Sequence, residues 1–152
     1  MLEKKNFKAI IDNSLESIIF LDVNHKVLAF NKNCQTLQKE FHNREIKIGD
    51  TYYPDYIIAE NIEIYLNAFN LALKGKPSTV RHLITKNSLI RWFEFIVLPV
   101  YVDNELEGVT IYAKDISDEK ERELKMFEMS KIFKSILESV DETFVLLDKS
   151  FR

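Results

Sequence analysis

Apolar positions follow the period of an α-helix in four parts of the chain. The predicted helices cover residues 2–13, 31–41, 58–74 and 118–140. Asn31 can cap the second helix, and Gly75 followed by Pro77 ends the third. The last helix carries apolar residues spaced alternately by three and four, which predicts a seam for pairing with another helix. These residues are Met126, Met129, Phe133, Ile136 and Val140.

Runs of β-branched and aromatic residues predict five strands. They cover residues 17–22, 26–30, 78–86, 89–102 and 106–116. Asn24 suits a tight turn between the first two, and Asp103 with Asn104 forms the turn between the last two. Pro99 cannot donate to a ladder, so we expect a bulge or an open edge there. Helices segregated from an antiparallel sheet indicate the α+β class.

Length and composition narrow the function classes. The 152 residues fit one domain with room for a helical extension. A net charge of -3 argues against nucleic acid as a partner. No apolar run reaches the ~18 residues of a spanning helix, so we expect no membrane contact. Cys34 is the only cysteine, which excludes internal disulfides and favours a cytoplasmic location.

The two ends of the chain resemble each other. Residues 7–22 align with residues 133–148, and six of the paired positions are identical, among them Phe7 with Phe133. This similarity predicts that a second copy of the domain begins near the C-terminus and stops after its first strand, at residues 143–148. The alternative is a chance similarity of two amphipathic helix–strand junctions. The predicted segments are an amphipathic helix at 1–16, a core at 17–117, a signalling helix at 118–141 and the start of the second copy at 142–152.

Residues 3–118 resemble a PAS sensor domain. The matching parts are residues 7–22, residues 23–31, the stretch 91–109 and the tripeptide Asp115, Ile116 and Ser117. The tripeptide is similar to the family's Asp-Ile-Thr relay motif, with Ser in place of Thr. The resemblance implies a five-stranded antiparallel sheet with helices on one face, an N-terminal helix and a long C-terminal signalling helix. Asp115 has an alternative role as a simple strand terminator.

The resemblance also implies a ligand cavity. Alternation along the fourth strand places Phe93, Phe95 and Val97 on one face, which family geometry turns inward. The other positions expected to face inward are Leu83, Val109, Ile111 and Ala113. Tyr52 or Tyr56 is expected at the rim, and His82 is expected to face away. Two interpretations stay open: a site for a small apolar or amphipathic ligand, or a core filled by its own side chains.

Known cofactors of the family are disfavoured. Flavin-binding relatives carry amides at the positions of Leu83, Phe93 and Ala113, which are apolar here, so a flavin would leave polar atoms unpaired. Haem-binding relatives present a histidine from the helix before the third strand, and residues 57–74 contain none. No metal cluster is expected. The string at residues 33–38 resembles a photoactive cysteine motif but directly follows the second strand, so Cys34 is interpreted as a helix residue.

A homodimer is predicted from two apolar surfaces. Trp92, Ile96 and Leu98 alternate to the outer face of the sheet, where an exposed apolar stripe needs cover. The first helix supplies Phe7, Ile10 and Ile11, and the last helix supplies Met126, Met129, Phe133 and Ile136.

The function expected from this resemblance is that of a cytoplasmic sensory and dimerisation module in a bacterial multidomain signalling protein, of the sensor histidine kinase type. Its partners would be adjacent PAS and output domains of the same chain. The alternative is a ligand-free relay within a tandem array. No nucleophile and base pair is evident in the sequence, so we do not expect the segment to be an enzyme.

Overall fold

The structure is a computed structural model that describes the backbone of residues 2–150 and the side chains of residues 3–143. The residues up to Ile116 form one compact unit, and the last helix forms a second. The helices are α1 (Leu2–Asp12), α2 (Lys32–His42), α3 (Ile62–Leu73) and α4 (Ser117–Ser150). A short 3₁₀ turn, Ala59–Asn61, precedes α3.

The five strands form one antiparallel sheet. They are β1 (Ser17–Leu21), β2 (Val27–Phe30), β3 (Ser78–Lys86), β4 (Leu89–Val102) and β5 (Glu105–Asp115). Their order in space is β2-β1-β5-β4-β3, so the first and last strands pair at the centre. The predicted α+β class and five-stranded antiparallel sheet are confirmed.

The ends of α2 and α3 lie at residues that favour a helix terminus. The side chain of Asn31 accepts a hydrogen bond from the backbone N–H of Cys34 and so caps α2 as predicted. Asn43 ends α2 in the left-handed conformation, and Gly75, with a φ of 79°, follows α3. The predicted start of the third helix at residue 58 is wrong. Ile58 is extended, and the 3₁₀ turn delays α3 until Ile62.

Pro99 lies where β4 extends beyond its neighbour. The β3 ladder begins with Ser78 opposite Val97, so the edge of Pro99 that would face β3 is open. The ladder with β5 shifts register just after it, between Val100 and Tyr101. The prediction of a bulge or an open edge is met by the open edge at Pro99.

The helices of the compact unit cover one face of the sheet. On that face Leu21, Val109 and Phe69 of α3 are fully buried and Ile19 nearly so. Gly108 permits the close approach of β5 to β1, because a Cβ there would lie 2.1 Å from the carbonyl oxygen of Leu21. This packing leaves a partly open cavity between sheet and helices, which is described below.

The C-terminal segment corrects one prediction. Residues 143–148 were expected to start a strand, but their backbone is part of α4, which runs without a break to Ser150. A helix supplies its own hydrogen-bond partners four residues back, whereas a strand needs a neighbouring strand. The side chains of residues 144–150 lie outside the described residues, and the second domain copy stays a prediction. No described helix is both long enough and apolar enough to cross a membrane.

Candidate functional site

A cavity of about 110 Å³ lies between the inner face of the sheet and α2, α3 and the 3₁₀ turn. Most of its wall is aliphatic or aromatic. The sheet contributes Ile19, Val80, Ile84, Phe93, Phe95, Val97, Ile111 and Ala113, and the helices contribute Leu37, Phe41, Ile64, Ala68 and Phe69. The polar residues on the wall, chiefly from the helices and their connection, decide what the cavity can bind.

Most of the residues predicted for the cavity are brought together there. Phe93, Phe95, Val97, Ile111 and Ala113 all line it. Tyr52 and Tyr56 line it as well, from the segment that follows α2. Val109 is fully buried in the adjoining core but is not part of the wall.

The predicted orientation of β3 is wrong. Leu83 lies opposite Trp92 on the outer face and is 38% exposed. His82, which was expected to face away, lies opposite Phe93 and lines the cavity. Because side chains alternate along a strand, an error of one position in register reverses every one of them. The register of β3 against β4 therefore places Val80, His82 and Ile84 inward.

Gln38 of α2 is a buried amide on the cavity wall, and sequence reasoning did not select it. Its residue exposure is 6%, and its Nε2 donates to the hydroxyl of Tyr52 at 3.3 Å. Its Oε1 is buried with no hydrogen-bond partner among the described residues. Cys34, Gln38 and Phe41 are all buried at helical spacing along α2. That period is the sequence signal that could have identified Gln38.

The two tyrosines differ in how their hydroxyls are used. The hydroxyl of Tyr56 donates to Oδ2 of Asp50 at 2.6 Å. Burial, and then this hydrogen bond, raise the pKa of Tyr56 to about 12. The hydroxyl of Tyr52 accepts from Gln38, and burial is the main cause of its raised pKa. Tyr52 therefore keeps a neutral O–H whose proton is available to an acceptor.

Two histidines line the cavity beside the 3₁₀ turn. Lys86 Nζ lies 3.3 Å from Nδ1 of His42, and since an ammonium only donates, Nδ1 accepts. Burial, followed by the charges of Lys86 and Arg44, lowers the pKa of His42 to about 4. His42 is therefore neutral at pH 7, with its proton on Nε2. The second histidine, His82, donates from its own Nε2 to Oδ1 of Asn61 at 2.5 Å.

Cys34 lies in the first turns of α2, where it is fully buried. Burial raises the pKa of its thiol to about 11. A thiol of this kind is almost entirely protonated at neutral pH and is a poor nucleophile. The interpretation of Cys34 as a helix residue is confirmed.

The residues predicted for the signal relay lie at the end of β5 and the start of α4. Asp115 closes β5, and its Oδ2 is 4.0 Å from Nε of Arg91. Nη1 of Arg91 donates to Oε2 of Glu40 on α2 at 2.8 Å. The N–H of Ile116 donates to the carbonyl of Trp92 at 2.8 Å, and α4 begins at the next residue, Ser117.

The residues predicted for a dimer interface occupy three surfaces. Phe7 and Ile10 of α1 are exposed, and Ile11 is partly buried. Trp92, Ile96 and Leu98 are partly buried on the outer face of β4. The side chains of α4 that form the predicted seam, Met126, Met129, Phe133 and Ile136, are each more than half exposed.

Within the described part of the chain, no three His, Cys, Asp or Glu side chains are grouped so that they could hold a metal ion.

Comparisons with known proteins give structural relatives only. No protein-family model matches the sequence, and no curated protein matches it. Three similar solved structures differ in how much of each chain is shared.

A PAS domain from Colwellia psychrerythraea is 20% identical, with a TM-score of 0.57, over 78% of this chain and 99% of that one. A phage VqmA–DPO complex is 15% identical, with a TM-score of 0.63, over 84% of this chain and 60% of that one. The PAS domain of the histidine kinase ThkA is 21% identical, with a TM-score of 0.50, over 66% of this chain and all of that one. At these identities the likeness is one of fold: the chain has the fold of a PAS sensor domain.

Proposed function

We propose that this chain is the sensory and dimerisation module of a multidomain signalling protein of the sensor histidine kinase type. The observation that carries the proposal is the cavity, whose walls include β4 and β5. β5 ends at Asp115, and the 34-residue helix α4 follows almost directly. A change in the cavity wall would reach the start of α4 along the strand itself. The histidine kinase ThkA, which contains a domain of this fold, supports the assignment to this type of protein.

The proposed relay passes through Arg91. Its guanidinium lies between Glu40 of α2 and Asp115 of β5, and it also stacks over the ring of Phe41 at 5.6 Å. Phe41 lines the cavity. A ligand that displaced Phe41 would therefore move the cation next to the last residue of β5. Coupling of this kind requires two arrangements of the network that bind the ligand differently.

We propose that the module works as a homodimer. The apolar side chains on α4 and on the outer face of the sheet would lose water when two copies pair. Phe7→Glu combined with Ile96→Glu should yield monomers in light scattering. Gln35→Glu with Asn70→Glu, which adds equal charge at exposed positions of α2 and α3 away from these surfaces, should leave the dimer intact. A dimer that persists in the first double variant would refute this interface.

Flavin does not fit the cavity. A space of about 110 Å³ is no larger than the ~150 Å³ cavity that accommodates a single benzene ring, whereas an isoalloxazine has three fused rings. Of the three positions compared with flavin-binding relatives, Phe93 and Ala113 do line the wall, and neither offers a hydrogen bond. We propose a ligand smaller than any of the usual large cofactors.

Native mass spectrometry of the freshly purified chain tests the proposal. A dimer that carries a reproducible small adduct would support the ligand sensor and report the ligand's mass. The ligand-free relay predicts a bare dimer. A bare monomer would contradict both the dimer and the sensor as proposed.

A further inference from the structure

The wall of the cavity includes a residue with a buried polar atom that no described residue pairs. Oε1 of Gln38 is buried without a partner, although the other end of the same amide donates to Tyr52. A buried acceptor without a donor costs ~1 to 3 kcal/mol, and native proteins rarely retain one. A bound molecule with an N–H or O–H group at this position would remove that penalty.

The neighbouring hydroxyl adds a complementary group. The oxygen of Tyr52 already accepts from Nε2 of Gln38 at 3.3 Å, so its own proton is available for donation. An acceptor on Gln38 thus lies close to a donor on Tyr52. The complementary ligand carries a donor and an acceptor on adjacent atoms, as in the N–H and C=O of a lactam or a hydroxyl beside a ring nitrogen.

Size and charge restrict the ligand further. About 110 Å³ is comparable with the ~150 Å³ that accommodates benzene, so the cavity has space for one small ring at most. No Asp, Glu, Lys or Arg of the described residues lines the cavity. His42 accepts from Lys86 and remains neutral. A charged ligand would lose its hydration without gaining a counter-ion, which is strongly unfavourable.

We infer that the cavity binds a small, neutral, single-ring heterocycle with adjacent hydrogen-bond donor and acceptor atoms, held by Gln38 and Tyr52. This inference rests on the proposed function as a ligand sensor. The aromatic wall formed by Phe41, Phe93 and Phe95 packs against the ring, while the polar pair fixes its orientation.

The test uses three probes: 2-pyridone, which has the lactam edge, toluene, which has none, and benzoate, which is charged. Binding to the full chain is followed by NMR of the backbone amides. Gln38→Met should weaken 2-pyridone at least five-fold and leave toluene unchanged or tighter. The matched control is Gln35→Met, on the exposed face of the same helix, which should change neither.

The outcomes distinguish a failure of the inferred ligand class from a failure of the proposed sensor function. If toluene and 2-pyridone both bind but Gln38→Met weakens neither, or if benzoate binds most tightly, the ligand class is wrong and the sensor survives. If no probe shifts any amide of the cavity wall, both the ligand class and the sensor are overturned. Should Gln38→Met fail to fold, N-methyl-2-pyridone, which lacks the donor, should bind the unaltered chain at least five-fold more weakly than 2-pyridone. Equal binding of the two would overturn the ligand class.

Discussion

Two buried side-chain amides, Asn31 and Gln38, lie two helical turns apart at α2 and differ in how completely they are hydrogen-bonded. Asn31 is fully buried, and its Oδ1 accepts from the N–H groups of Ile18 and Cys34, each at 2.9 Å. Its Nδ2 donates to the carbonyls of Ile11 and Glu16, each at 2.8 Å. Gln38 makes one hydrogen bond, at 3.3 Å, and leaves its oxygen unpaired.

The difference indicates that Asn31 has a structural role, whereas Gln38 is a candidate for binding a ligand. The four bonds of Asn31 join the end of α1, strand β1 and the start of α2, so its function within the fold is complete. Gln38 lies on the wall of the cavity, and its Oε1 has no partner among the described residues. A buried polar group that is fully paired stabilises one structure, whereas one that is half paired is a candidate for binding a partner.

Asn31→Ala is expected to have the largest effect. It removes four hydrogen bonds and leaves buried backbone donors and acceptors unpaired, so the free energy of unfolding should fall by about 3 kcal/mol. Urea denaturation measures the change. Asn70→Ala, on the exposed side of α3, should cost less than ~0.5 kcal/mol. Similar losses in the two variants would contradict the role assigned to Asn31.

Tyr52→Phe should have an intermediate effect. Among the described residues Tyr52 is the one partner of the Gln38 amide, and the donor left unpaired by the change should lower the free energy of unfolding by about 1 kcal/mol. Tyr53→Phe is the control, since the hydroxyl of the adjacent Tyr53 takes part in none of the described hydrogen bonds. An equal response to both changes would mean that Gln38 gains nothing from Tyr52.

The stability of the fold should depend on pH through His42. The pKa of His42 is about 4 when folded and 6.5 in the reference state, so the unfolded chain binds more protons between these values. The contribution of neutral His42 to stability is present above pH 6.5 and is lost as the pH falls towards 4. His42→Phe should flatten this part of the pH profile of urea denaturation. Burial also lowers the pKa of His25, so part of the pH dependence of stability should remain in this variant. A pH profile identical to that of the unaltered chain would contradict the prediction.

Gln38→Met should have the smallest effect on stability. It gives up one long hydrogen bond but also removes the unpaired oxygen, so the free energy of unfolding should stay within ~0.5 kcal/mol or rise. The same denaturation series measures it. A loss comparable to that of Asn31→Ala would show that Gln38 is structural and would end the contrast between the two amides.

Local patterns predicted the elements better than the site. Alternation along β4 grouped Phe93, Phe95 and Val97 on one face, and the geometry implied by the family resemblance turned that face inward, where the structure has it. Leu83 was not, because the phase of β3 depends on its register against β4 and not on its own residues. Gln38 was overlooked because a polar residue on a helix indicates solvent until the face that carries it is known to be buried.

Periodicity, end-capping residues and turn residues determined the helices, the five strands and the α+β class, because these depend on neighbours within a few positions along the chain. The tertiary structure decided three other features. It set the direction of His82, the unpaired state of the Gln38 oxygen and the helical backbone at residues 143–148. Each of these depends on which distant backbone or side chain supplies, or fails to supply, a hydrogen-bond partner.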